Sequence, residues 1–247
     1  MKFLFPILLL VVTRVSAQPP LIHAHNDYQK TEPLIQAIRY KVYAIEADVY
    51  LVDHKLRVCH DESATLQAPT LGQLYLQPII QLFNKYRGRI SEDSTYAPVL
   101  MIDIKKDGTA VLQEILKEIA QYPQVFDRGT NPLAVQVVIS GDRGPVDHWA
   151  AYPSTILFDG RPREHYDTDA LQKVAFVSDA YANYFRPADS IDIRLQSLAR
   201  AVHQKGKILR LWGIPDNPKA WDHFKNLGID IINTDSVAAC RAYFGYK

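Results

Sequence analysis

Short apolar segments alternate with amphipathic segments along most of the chain. Eight of the apolar segments have the length and the β-branched content of buried strands. They cover residues 21–25, 44–50, 99–105, 134–140, 155–159, 174–178, 208–212 and 229–233. The segments between them carry apolar residues at helical spacing, for example Val111, Leu112, Ile115 and Ile119. The pattern predicts strands and helices in turn, and therefore a parallel sheet.

The same alternation limits the architecture. Eight strand–helix units in a chain of 247 residues fit a single-domain α/β fold, a closed (β/α)₈ TIM barrel, with an open doubly wound sheet as the alternative. One late helix has clear boundary signals at both ends. Asn217 is placed to cap it before Pro218, and Gly228 is placed to end it.

Polar residues concentrate at the ends of the predicted strands, where a barrel of this kind carries its chemistry. The second strand contains Glu46 and Asp48, and the third contains Asp103 and Lys105. Because side chains alternate between the two faces of a strand, the members of each pair share a face. The apolar residues between them face the helices, so these four charged side chains are predicted to point into the barrel.

Three carboxylates in a narrow barrel mouth repel one another and lose hydration unless a cation lies among them. Glu46, Asp48 and Asp103 offer oxygen ligands, which suit a hard divalent metal ion, Mg²⁺ or Ca²⁺. The alternative is a set of salt bridges to basic residues: Lys105, Arg57 and Arg210. Inward charges on two neighbouring strands rarely serve packing alone, so we favour the metal site.

Two histidines, His25 and His60, follow adjacent strand ends. Imidazoles that titrate near neutrality take and return protons, so the pair is predicted to act as acid and base, with His23 as an alternative to His25. The His-x-His pattern on the first strand is also typical of metal-dependent amidohydrolases, in which both imidazoles bind a transition metal. That class needs further histidine ligands on later strands. Those strands do not end in histidine here, so the amidohydrolase is the second choice.

Later strand ends supply accessory candidates. Arg143 and Arg161 are suited to bind a substrate headgroup, and their alternative role is in salt bridges at the surface. An aromatic loop of Tyr181, Tyr184 and Phe185 either covers the pocket or packs on the barrel rim, and we favour packing.

Residues 1–17 have the features of a secretory signal peptide: Lys2, an apolar run, and then Ser16 and Ala17 at the cleavage site. The apolar run of roughly ten residues is about half of what spans a bilayer, so no stable membrane anchor is expected. Residues 18–247 then form the mature domain, which we expect to be monomeric and either secreted or periplasmic.

Composition narrows the range of partners. The residues are 47% hydrophobic and 22% charged, with a formal net charge of +1. No basic excess is present to replace phosphate counterions, which argues against nucleic-acid binding. Two cysteines do not make a disulfide scaffold, so Cys59 and Cys240 are predicted to be buried thiols.

Six motifs, taken in order, resemble the phosphatidylinositol phospholipase C-like phosphodiesterase superfamily: HAHNDY, IEADVYL, RVCHDE, MIDIKK, LRLWGI and IINTD. That superfamily includes glycerophosphodiester phosphodiesterases and sphingomyelinase D-like enzymes. The chain is most similar to the branch of the altered inheritance of mitochondria protein 6 type, and the resemblance extends over essentially the whole mature chain.

The resemblance implies a metal-dependent phosphoric diester hydrolase acting on a small phosphodiester or a phospholipid headgroup, with a cyclic phosphate as a possible product. The roles that it implies are these: His25 and His60 as acid and base, Lys105 at the phosphate, Glu46, Asp48 and Asp103 as metal ligands, and Asn26 and Trp212 at the substrate. Trp212 would meet the alcohol part by stacking, or by a cation–π contact if that part resembles choline.

Two departures from the superfamily pattern leave the substrate open. Glycerophosphodiesterases usually have His-Arg-Gly on the first strand, where this chain has His25, Asn26 and Asp27. They usually carry a glutamate on the third strand, where this chain has Asp103. A secreted barrel that binds a ligand without turning it over is the non-enzymatic alternative, since a motif indicates capacity rather than rate.

Overall fold

The structure is a computed structural model and describes residues 18–185 and 190–246. The predicted signal peptide at 1–17 lies outside these residues. The strands are β1 (Leu21–Ala24), β2 (Ala44–Val52), β3 (Lys55–Val58), β4 (Val99–Ile104), β5 (Gln136–Gly141), β6 (Ile156–Gly160), β7 (Val174–Ala180), β8 (Leu209–Trp212) and β9 (Ile231–Thr234). The α-helices are α1 (Ile35–Arg39), α2 (Gln77–Lys85), α3 (Gly108–Ile119), α4 (Pro123–Phe126), α5 (Thr168–Lys173), α6 (Ile191–Gln204), α7 (Pro218–Asn226) and α8 (Val237–Tyr243).

Every strand except β3 belongs to one parallel barrel. The order around it is β1-β9-β8-β7-β6-β5-β4-β2, and β1 also pairs with β2 to close the ring. His23 lies opposite Ala44 on one side of β1 and opposite Asn233 on the other. The chain is therefore a single-domain (β/α)₈ barrel, as the strand–helix alternation predicted, and the open sheet is excluded.

The strand β3 forms a hairpin with β2 that the sequence pattern did not indicate. The connecting residues Asp53 and His54 both have positive φ, 49° and 57°, the backbone that a two-residue turn between antiparallel strands requires. Val58 pairs with Val49, and the backbone N–H of Cys59 donates to the carbonyl of Asp48 at 3.2 Å. The hairpin thus returns the chain to the barrel mouth immediately before His60.

The barrel interior changes character along its axis. At the amino ends of the strands it is filled by a cluster of apolar residues: Ala44, Val99, Met101, Val138, Phe176 and Ile231. The outward side chains of the strands pack against the helices in a separate, larger core that includes Ile45, Val49, Ile102 and Ile104, as the face alternation predicted. The charged residues of the same strands are left to fill the carboxyl end.

Helix boundaries also match their sequence signals. The side chain of Asn217 accepts a hydrogen bond from the backbone N–H of Ala220 at the start of α7. The buried face of α3 carries the predicted apolar residues.

Cys59 and Cys240 are buried free thiols. Among the residues that the structure describes, no helix combines the length and apolarity needed to cross a bilayer.

Candidate active site

Three carboxylates meet at the carboxyl end of the barrel. Glu46 and Asp48 extend from β2, and Asp103 lies opposite Asp48 in the β2–β4 register. Oxygen atoms from all three lie within 4.8 Å of one another. Asp48 is fully buried, and its Oδ1 has no hydrogen-bond partner. Converging oxygens and an unsatisfied buried acceptor fit a hard divalent cation.

Lys105 neutralises part of this negative charge. Its Nζ lies 2.7 Å from Asp48 Oδ2 and 2.6 Å from Asp103 Oδ2. Burial opposes the charged ammonium, but the two carboxylates outweigh burial and raise the pKa of Lys105 above its usual value. The pKa of Asp103 is also raised, because burial outweighs the attraction of Lys105. Lys105 thus contacts two of the three carboxylates, and the guanidinium of Arg210 lies 3.9 Å from the third, Glu46. Two basic groups therefore face three carboxylates, which leaves the cluster short of positive charge.

His23 is fully buried, and its Nε2 lies 2.7 Å from Glu46 Oε2. Burial, helped by the nearby guanidinium of Arg210, lowers the pKa of His23 to about 4. A neutral His23 donates its Nε2–H to Glu46 and leaves Nδ1 without a partner. Although burial alone would raise it, this hydrogen bond and the charge of Arg210 lower the pKa of Glu46 to about 2. His23 thus holds Glu46 in its ionised form.

His25 and His60 are more open, with side chains 31% and 58% exposed. Nδ1 of His25 lies 3.1 Å from Asp235 Oδ1, and Nδ1 of His60 lies 3.0 Å from Asp48 Oδ2. An aspartate therefore orients each ring through Nδ1, which leaves Nε2 free to exchange a proton with a substrate. Of the two histidines on the first strand, His25 lines the cavity in the barrel mouth, whereas His23 is not among the residues that line it.

The mouth contains a cavity of about 300 Å³. It is lined by His25, Glu46, Asp103, Lys105, Ser140, Gly141, Arg161, Arg210 and Trp212. A larger and more open groove of about 770 Å³ lies along α1 and α2. Two of the basic side chains of that groove are already paired, Arg39 with Glu32 and Lys41 with Asp93. Four of the predicted site residues, His25, Glu46, Asp103 and Lys105, line the smaller cavity, which is therefore the candidate active site. Asp48 and His60 are not among its lining residues; they lie beside it, joined to Lys105 through Asp48 Oδ2.

The wall opposite the carboxylates is basic. The carboxylate of Asp159 lies 2.9 Å from Arg161 and 3.3 Å from Arg210. Arg210 is almost fully buried and also bonds to Ser178 and Asn233. Sequence reasoning assigned no role to Asp159 in this wall. The sequence did contain a signal for this role: Asp159 lies at the end of its strand, on the face that points into the barrel, as Arg210 does.

Arg143 does not reach the cavity. Its guanidinium makes two hydrogen bonds to the carboxylate of Glu164, at 3.0 and 2.6 Å, and lies over the ring of Trp149. The position matches the salt-bridge alternative rather than the headgroup role predicted from the sequence. The reason is the path of the chain after β6, which brings Glu164 within reach.

Asn26 is also absent from the cavity lining. Its backbone is left-handed, with φ 47°, and its Oδ1 lies 3.3 Å from the hydroxyl of Tyr28. The single hydroxyl proton of Tyr28 goes to the closer and charged acceptor, Asp48 Oδ2 at 2.9 Å, so Asn26 lies behind the site rather than in it. In the aromatic loop, Tyr181 packs edge-on against Phe224, as the packing interpretation predicted.

The amidohydrolase alternative needs a metal site built on His23 and His25. Within the parts of the chain that the structure describes, the residues that could share a metal ion are Glu46, Asp48 and Asp103. Since His23 is engaged by Glu46 and His25 by Asp235, this geometry gives the alternative no support.

Comparison with known proteins agrees with the geometry. Residues 12–142 match the family model of the AIM6-like phosphodiesterase domain. An altered inheritance of mitochondria protein 6 homolog from Arthroderma benhamiae is 27% identical, over 92% of this chain and 84% of that protein. Altered inheritance of mitochondria protein 6 from Eremothecium gossypii is 26% identical, over 90% of this chain and 69% of that protein.

Solved structures show the same barrel. A glycerophosphodiester phosphodiesterase from Parabacteroides distasonis superposes with a TM-score of 0.60 at 14% identity, over 92% of this chain and 98% of that one. A phosphodiesterase from Oleispira antarctica, solved with the product sn-glycerol-3-phosphate, gives 0.55 at 15% identity, over 92% and 97%. At such identities the likeness concerns the fold. The family model, in contrast, matches more than half of the chain, and the chain therefore belongs to the AIM6-like phosphodiesterase family.

Proposed function

We propose that this protein hydrolyses phosphodiesters with the help of a divalent metal ion, and that His25 and His60 act as acid and base. The observation that carries the proposal is the convergence of three carboxylates within 4.8 Å, beside a cavity that His25 lines. The family match and the names of the structural neighbours support the reaction class.

Glu46, Asp48 and Asp103 would hold the ion. When bound, Mg²⁺ or Ca²⁺ supplies positive charge to the phosphoryl oxygens, whose negative charge otherwise resists attack. Lys105 adds a second positive charge from the same wall of the cavity. His23 contributes indirectly, because its hydrogen bond keeps Glu46 ionised and fixed.

The proton steps fall to the two exposed imidazoles. One takes the proton from the attacking hydroxyl as the new P–O bond forms. The other, as imidazolium, gives its proton to the leaving oxygen as the old P–O bond breaks. The attacker is either water or a neighbouring hydroxyl of the substrate. The second case yields a cyclic phosphate.

Hydrolysis of bis(4-nitrophenyl) phosphate by the purified protein tests this function. We expect release of nitrophenol with Mg²⁺ or Ca²⁺, loss of turnover after chelation, and recovery when the ion is restored. Turnover that survives chelation would remove the metal from the proposal. Absence of turnover of this diester with either ion would overturn the function.

From the leader-like residues 1–17 we further propose that the mature protein is secreted or periplasmic, and we propose separately that it is a monomer. Amino-terminal sequencing of the protein exported by its native host should begin near Gln18. An intact amino terminus in the cytoplasmic fraction would contradict this location, and a gel-filtration volume of a dimer would contradict the monomer.

A further inference from the structure

The Trp212 ring is the aromatic surface of the cavity lining, and two guanidinium groups already occupy it. Cζ of Arg161 lies 5.0 Å from the ring centroid, and Cζ of Arg210 lies 5.8 Å from it. Both distances fall within the range of a cation–π contact. The ring of Trp212, which would otherwise attract the ammonium group of a substrate, thus already has cationic partners from the protein itself.

We propose that Arg161 determines specificity: it closes Trp212 to quaternary ammonium groups and selects phosphodiesters whose alcohol is a neutral or anionic polyol. The proposal deepens the function proposed above and rests on it, because it concerns the alcohol bound beside the same phosphate site.

Contacts on three sides hold Arg161 in place. Its Nη1 lies 2.9 Å from Asp159 Oδ2 and donates to the carbonyl of Gly160 at 3.0 Å. Its Nη2 donates to Ser140 Oγ at 3.3 Å. Asp159 and Ser140 are themselves buried, so an entering cation would have to displace an arginine that is anchored to the barrel.

The charge of this wall favours the same class of alcohol. The cavity lining carries three basic side chains, Lys105, Arg161 and Arg210, against the two carboxylates of Glu46 and Asp103, so it keeps an excess of positive charge. A quaternary ammonium is repelled there and brings no hydrogen-bonding group to the guanidinium. Hydroxyl or anionic oxygens can accept from Arg161, which has donors beyond those that its protein partners use.

Titration calorimetry with two phosphomonoesters, with and without Mg²⁺, tests whether the cavity prefers a polyol or a quaternary ammonium group. Glycerol 3-phosphate carries a polyol, and phosphocholine carries a quaternary ammonium. The wild-type protein should bind glycerol 3-phosphate at least about tenfold more tightly, a ratio in the range of one filled or empty cation–π site. Equal affinities, or tighter binding of phosphocholine, would overturn the proposal.

Variants identify the residue responsible. Arg161→Gln should lower the preference for glycerol 3-phosphate by about threefold or more, because it removes one guanidinium from the ring. Arg163→Gln is the matched control: Arg163 is exposed and lies outside this cavity, so the same loss of charge should leave the ratio unchanged. Equal shifts in the two variants would mean that general electrostatics, and not the Trp212 contact, sets the preference.

A second variant keeps the test decisive if Arg161→Gln fails to fold. Trp212→Leu should leave phosphocholine affinity unchanged, since the ring is already occupied; a marked loss would show that choline uses the ring and would overturn the proposal. Turnover of bis(4-nitrophenyl) phosphate, which contains neither alcohol, reports the proposed function separately. Turnover without the predicted ligand preference would therefore reject this inference alone.

Discussion

Arg143 and Arg161 are alike in sequence and in first contacts. Each follows the end of a strand by one or two residues, and each lies over a tryptophan, at 5.2 and 5.0 Å. The carboxylate of Glu164, however, pairs with the one guanidinium of Arg143 and otherwise accepts neutral hydrogen bonds from Tyr166 and the backbone of Arg161. Arg161 instead shares the carboxylate of Asp159 with Arg210. A charge matched one to one stabilises the fold, and a charge left in excess at a cavity is available to a ligand.

The same distinction separates the whole mouth from its surroundings. In the cavity, Lys105 is shared by Asp48 and Asp103, and Arg210 lies 3.3 Å from Asp159 and 3.9 Å from Glu46. The charges of the cavity are therefore shared among several partners, unlike the pair of Arg143 and Glu164. We therefore expect substitutions in the cavity to change activity and ion binding, and substitutions in the Arg143–Glu164 pair to change stability.

The largest effect is expected for His60→Ala. The imidazole is more than half exposed and its contact is one hydrogen bond to Asp48, so the melting temperature should hardly change. Removal of an acid or base should lower the rate on bis(4-nitrophenyl) phosphate by about 10²–10⁴-fold. Full activity in this variant would exclude His60 from the proton steps.

Asp103→Asn should mainly affect ion binding. It removes a charged oxygen from the carboxylate cluster, and the affinity for Mg²⁺ measured by calorimetry should fall by at least about 10–100-fold, the loss that even a supporting residue causes. Glu164→Gln is the control, since it removes one carboxylate outside the cavity. Unchanged affinity in Asp103→Asn would mean that the cluster is a salt-bridge site.

Glu164→Gln should weaken the fold rather than the chemistry. The glutamine retains one acceptor for the backbone N–H of Arg161 but loses the paired contact with Arg143. Hydrogen bonds to charged groups contribute about 1.5–3 kcal/mol, and partial exposure of Glu164 reduces this, so we expect a loss of about 1–2 kcal/mol in urea unfolding. A large loss of activity at unchanged stability would show that Glu164 serves the chemistry rather than the fold.

The smallest effect is expected for the pH dependence of the stability difference between wild type and Glu164→Gln. Burial tends to raise the pKa of Glu164, but the hydrogen bonds from Arg143 and Tyr166 outweigh burial and lower it below the ordinary value of 4.5. A lowered carboxyl pKa stabilises the fold above the unfolded value, and this stabilisation is lost as the pH falls. The stability gap between wild type and Glu164→Gln should therefore shrink below about pH 4.5 in unfolding titrations. A stability difference that grows as the pH falls would contradict the lowered pKa of Glu164.

Much of the barrel and of its carboxylate cluster could be predicted because both follow from periodicity. The spacing that places Glu46 and Asp48 on one face needs no knowledge of distant contacts, and the register of β2 with β4 then brings in Asp103. The alternation of strands and helices likewise predicts which strand ends share the mouth.

The features that were missed depend on contacts between distant segments. Arg143 could only be assigned by knowing that Glu164 folds back towards it. The strand β3 has four residues with no long apolar pattern, and its turn, Asp53 and His54, lacks the glycine that usually indicates a hairpin. The family resemblance implied that Trp212 lines the pocket, but the guanidinium beside its ring follows from the three-dimensional position of Arg161.

The hairpin of β2 and β3 also restricts the length of the chain between the carboxylate cluster and His60. Its pairing fixes how far the chain travels between Asp48 and His60, because Val58 lies opposite Val49. One residue added to the turn would shift the register, turn the side chains of β3 to the opposite face and move His60 by about 3 Å along the strand. An insertion or deletion in this turn is therefore expected to misplace His60, and the positive φ of Asp53 and His54 limits substitutions there to residues that tolerate a left-handed backbone.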